Sequence, residues 1–109
     1  MAWRGKKRKT KTTGIMQIIK AVMVDWQVRD QDIEVSRTAG AIGVGIAGRE
    51  VEIYYWQDDN IGGTEKRHIA IRMVGQPVPQ KGRSRYIGMV TAETGVSKHT
   101  LFVFETDEP

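Results

Sequence analysis

Residues 41–56 alternate between apolar and small or charged side chains on both sides of Ala47-Gly48. A period of two belongs to an extended chain with one face buried, whereas a helix needs a period near 3.6. The segment therefore reads as a β-hairpin. With Ala47 and Gly48 as its loop, Val44 faces Val51 and Ile42 faces Ile53 on one surface. The other surface then carries Gly43 opposite Glu52 and Gly45 opposite Glu50. Tyr54 and Trp56 share this second face, as an exposed platform or beneath another strand, the commoner fate of aromatics.

The same rhythm recurs along the chain. His68 to Val74 alternates with Ile69, Ile71 and Met73 on one side, and Ile33-Glu34-Val35 is a shorter strand. Tyr86 to Thr91 and Leu101 to Glu105 form a last pair, joined by a loop around Gly95. Leu101-Phe102-Val103-Phe104 is apolar on both faces, which suits a central or covered strand. Pro77 and Pro79 deny a ladder to residues 76–82, which read as a loop. Residues 15–28 fit either a helical stripe or a strand with Ile18, Val22, Val24 and Trp26 on one face. The expected fold is mainly β, a small antiparallel β sandwich or barrel, with Ile53, Ile69, Ile71, Leu101 and Val103 in its core.

Charge divides the chain into two parts. Residues 1–13 hold Arg4, Lys6, Lys7, Arg8, Lys9 and Lys11 and no acid. Setting these six aside from seventeen basic residues leaves eleven, against thirteen acidic ones, so the body is slightly acidic. Self-repulsion makes residues 1–13 an expected disordered basic arm, and residues 14–109 a single β-rich domain. The arm suits the phosphates of nucleic acid, and a solvated tail explains the same residues. Met16, beside the start of the apolar pattern, is available as an internal start. A second basic group, Lys81, Arg83 and Arg85, adjoins Tyr86, and together these form a candidate phosphate-and-base contact.

Other motifs point away from chemistry. Gly43-Val44-Gly45-Ile46-Ala47-Gly48 has the letters of a dinucleotide fingerprint, but strand-like residues follow where a helix is required. The glycines instead shape a hairpin and relieve crowding on one face. Asp58, Asn60 and Gly63 open like a calcium loop, but Ile69 stands where its bidentate glutamate belongs. The chain has no cysteine and two histidines, His68 and His99, which read as ordinary strand residues. No catalytic triad is evident, and Glu50 with Glu52 reads as the wet side of a sheet. The glycine-rich uncharged run of residues 39–48 is half the ~20 apolar residues of a membrane span.

From Lys20 to Glu105 the order of elements resembles a family of short bacteriophage and prophage proteins, a domain of unknown function. The resemblance rests on Asp30 and Ile33, the Ala39-Gly40 step, and Tyr55-Trp56-Gln57-Asp58-Asp59. It continues through the strand from Arg67, the Val74–Pro79 loop, Tyr86-Ile87-Gly88-Met89-Val90 and the terminal Phe-Val-Phe-Glu. Thr38 and Gly75-Gln76-Pro77 depart from its pattern. The resemblance implies a strand near residues 20–28 and a phage origin, and it brings no activity with it.

These readings converge on a non-enzymatic, phage-type binding module of the host cytoplasm, with no cofactor, metal or membrane. Its expected target is nucleic acid or a nucleic-acid-processing complex. The alternatives are an inhibitor of a host enzyme or defence protein, an oligomeric assembly protein, and a small-ligand sponge.

Overall fold

The computed structural model describes residues 16–58, 62–79 and 84–106, which contain seven strands and no helix. These are β1 (Gln17–Asp25), β2 (Asp30–Ser36), β3 (Gly40–Ala47), β4 (Glu50–Asp58), β5 (Thr64–Met73), β6 (Ser84–Thr94) and β7 (Ser97–Thr106). They form two antiparallel sheets, β1-β4-β3 and β2-β5-β7-β6. The inward rows of both sheets make one core. Val24, Val51, Ile53 and Tyr55 come from the first sheet, and Ile69, Ile71, Leu101 and Val103 from the second. All five expected core residues are buried.

The architecture is a sandwich rather than a barrel. β3 and β6 approach along one side, where a Cβ on Gly88 would lie 3.0 Å from Val44 Cγ2. Along the other side a groove of about 380 Å³ lies between β1 and β2, lined by Lys20, Val22, Glu34 and Ser36 among others. Among the described residues, no helix is long and apolar enough to cross a membrane.

Residues 17–25 are a strand, and Ile18, Val22, Val24 and Trp26 are more covered than Ile19, Ala21 and Met23 between them. Tertiary pairing with β4 settles what periodicity left open. β7 lies between β5 and β6, which accounts for its two apolar faces.

The β3–β4 hairpin requires a correction. Ala47 pairs with Glu50, so the loop is Gly48-Arg49, and Val44 faces Ile53 while Ile46 faces Val51. Gly43 and Gly45 accordingly stand opposite Tyr54 and Glu52. Val44, Val51 and Ile53 share the expected face, but Gly43, Val44 and Gly45 each pair two positions further along β4. The reason is local: two-residue hairpin turns need φ > 0 at their first central residue, and Gly48 has φ 60° there. Gly95 closes β6 and β7 in the same way. A bulge between Ala41 and Gly43 also removes Ile42 from the ladder, and Ile42 is 52% exposed instead of facing Ile53.

Crowding does explain Gly45. The Tyr54 ring crosses it, with the hydroxyl oxygen 2.7 Å from where a Cβ would sit. That hydroxyl donates to Glu52 Oε1 at 2.8 Å. Trp56 is not covered by another strand; it is half exposed opposite Ile19.

Candidate functional site

Three inward rows end in polar groups at the same end of the sandwich. Val51 and Ile53 lead to Tyr55, Ile71 and Ile69 lead back to Arg67, and Leu101 and Val103 lead to Glu105. Because side chains alternate, the parity that buries the aliphatic residues also turns these three groups inward. The Tyr55 hydroxyl donates to Glu105 Oε2 at 3.0 Å, and Arg67 Nη1 reaches the same oxygen at 3.4 Å. Arg85 Nη2 donates to Glu105 Oε1 at 3.1 Å. Arg67 also donates to Glu65 at 2.8 Å and to the Ala39 carbonyl oxygen at 2.6 Å.

The electrostatics follow from this packing. Burial, reinforced by the Glu105 carboxylate, pushes the Tyr55 hydroxyl well above its ordinary ionisation range. Burial opposes the charge on Arg67, but Glu65 and Glu105 outweigh it and hold the guanidinium above its usual value. Around this network lies a polar recess of about 300 Å³, lined by Glu65, Lys66, Arg67, Arg85 and Glu105. Arg67 is spent on protein partners. Among the described residues Lys66 forms no ion pair, and Arg85 remains largely exposed, so the recess has two cations at its edge.

Tyr86 follows Arg85 but faces outward, away from the core. Its ring lies beside Phe104, with centroids 5.5 Å apart at 58°. Met89 and Phe102 continue this outer face, where Tyr86 and Met89 are each more than half exposed. On the other side of the same sheet face, His68 is buried between two carboxylates. Its Nδ1 lies 2.9 Å from Asp32, and its Nε2 lies 3.2 Å from Asp30. Burial opposes ionisation of Asp30, but bonds from His68 and Arg72 outweigh it and hold the carboxyl below its ordinary value. Among the described residues no cluster of His, Asp and Glu could hold a metal ion.

The family now follows from comparison. The chain belongs to DUF7352, a domain of unknown function. The match covers residues 16–109. No curated protein and no solved structure matches the chain.

In this DUF7352 domain, Arg85 and Tyr86 are neighbours at one strand end, on opposite faces of the sheet. Arg4, Lys6, Lys7, Arg8, Lys9, Lys11, Lys81 and Arg83 lie outside the described residues. Sequence reading missed Lys66, Arg67 and Glu105 as site residues. A signal for the last two was present, because Glu105 shares the parity of Leu101 and Val103, and Arg67 that of Ile69 and Ile71. A charge that continues an inward apolar row is a buried charge in search of a partner.

Proposed function

We propose that the chain is a non-enzymatic, phage-type binding module of the host cytoplasm that takes single-stranded nucleic acid or its processing complex. The observation behind this reading is the exposed Tyr86 ring, set against half-buried Phe104, next in sequence to Arg85 at the rim of the recess. Bases stack on exposed aromatic rings, while cations follow the backbone. Lys66 and Arg85 supply local cations, and the six basic residues of positions 4–11 supply the remainder. Lys81 and Arg83 immediately precede the aromatic strand in sequence.

The test is a salt titration of binding to mixed-sequence single strands and duplexes. Six arm contacts give a log–log slope of up to about −4 on single strands and about −5 on duplex. Deleting residues 1–13 removes most of that slope. Absence of binding at low salt overturns the reading.

A protein-directed role is the second reading. It is supported by the cross-strand pair Ile19 and Trp56, both more than half exposed on the outer face of the three-stranded sheet. A tight protein partner retained after deletion of the arm supports this role over the first.

A further inference from the structure

The outer face of the four-stranded sheet carries two apolar pairs side by side. Tyr86 stands opposite Phe104, and Met89 stands opposite Phe102. Tyr86 and Met89 are each more than half exposed, while Phe104 and Phe102 are half-buried beside them. Strict alternation from Tyr86 would have turned Met89 into the core. The bulge between Tyr86 and Gly88 reverses this. Ile87 packs on the core, and Gly88 faces inward opposite Val103 and against Val44. Met89 therefore emerges on the Tyr86 face, and alternation resumes with Val90 and Ala92 inward. A bulge gives up part of the ladder and re-aims a side chain, and here the side chain it re-aims is Met89.

We infer that this face takes two consecutive bases of a single strand, one on Tyr86 against Phe104 and the next on Met89 against Phe102; the inference rests on the nucleic-acid reading above. Spacing decides how they lie. Phe102 and Phe104 are two residues apart along one strand, about 7 Å. Successive bases of a B-form strand rise by only about 3.4 Å. The two bases are therefore splayed, each on its own pair, which a single strand permits and a duplex does not. Tyr86 offers a ring face for stacking, and Met89 a polarizable thioether that packs favourably on aromatic rings. The carboxylate nearest along this row, Asp30 beside Ala70, is already held by His68 and Arg72. Cations for the backbone come from Lys66, on the same side of β5 as His68, and from positions 4–11.

The experiment measures binding of the full chain to three strands of equal charge, each about twelve nucleotides long. One is all thymidine, one alternates thymidine with abasic sugars, and one is fully abasic. The alternating strand offers single bases but never two in succession. Each stacked base should add about tenfold, so affinity should fall in two steps from the first strand to the third. Met89→Ala should abolish the upper step, so that the all-thymidine and alternating strands bind equally. It should leave the lower step and the thermal unfolding midpoint unchanged. Met89→Phe should retain both steps. Equal binding of the first two strands by the parent protein, or an upper step that survives Met89→Ala, would overturn the two-base assignment and leave the nucleic-acid reading in place. Absence of binding to all three strands at low salt would overturn that reading, and the assignment with it.

Discussion

The Tyr55 hydroxyl on β4 donates to the Glu105 carboxylate on β7 at 3.0 Å, a buried polar bond that joins the two sheets. Both residues are nearly inaccessible, and Arg67 and Arg85 complete the shell around the carboxylate. The bond therefore links the stability of the sandwich to the integrity of the recess.

Tyr55→Phe removes the donor while keeping the ring. A buried acceptor that loses a partner destabilises by roughly 1–3 kcal/mol, and chemical denaturation at neutral pH should read a loss in that range. The pH dependence has a definite sign. Unfolded tyrosine ionises near 10, whereas the folded group holds its proton to higher pH. Its stabilisation is complete below the unfolded value and declines as pH rises above it. Tyr55→Phe should therefore flatten the alkaline limb of a stability–pH curve. An unchanged limb would show that Tyr55 is not the titrating group.

Asp30 acts at the acid end. Its carboxyl is held below the ordinary value of 3.8, so its contribution is present above that pH and disappears as pH falls through the folded value. Asp30 is partly exposed, and solvent screening keeps the effect small. Asp30→Asn should reduce the stability lost on acidification below about 4, measured by thermal unfolding across pH.

Closure of the sandwich at β3 and β6 depends on Gly88. A side chain there meets Val44, a β-branched residue on a paired strand. Gly88→Val should destabilise by about 1–3 kcal/mol, and Gly88→Ala by less. Equal stability of Gly88→Val and the parent protein would mean that the two strands stand further apart.

The corrected hairpin register separates two isoleucines that alternation alone had paired. Ile53→Ala should lose roughly 2–5 kcal/mol, because the side chain is fully enclosed. Ile42→Ser should stay within about 0.5 kcal/mol. Comparable losses at both positions would restore the Ile42–Ile53 pairing.

Nucleic-acid binding, if it follows the proposed route, separates into two components. Tyr86→Ala should weaken single-strand binding by roughly 1–3 kcal/mol, the stacking contribution of one base, and leave the salt slope unchanged. A change in slope without loss of affinity would assign Tyr86 no stacking role.

Much of this protein was legible in its sequence, because strand alternation is a local property. Each inward row could be read without knowing its neighbour, and the five expected core residues are all enclosed. The concentration of basic residues at positions 4–11 and the slightly acidic remainder were likewise explicit in residue counts. What waited for the tertiary structure was every relation between strands. Residues 17–25 carry a pattern compatible with helix or strand, and only the ladder to β4 decides it. The hairpin register depended on which residue takes φ 60°, and a period-two pattern is unchanged by a displacement of two positions. Glu105, Arg67 and Tyr55 lie on three strands, and their meeting is a consequence of sheet order and sandwich packing. Alternation sets which way a side chain points, while long-range packing sets what it meets.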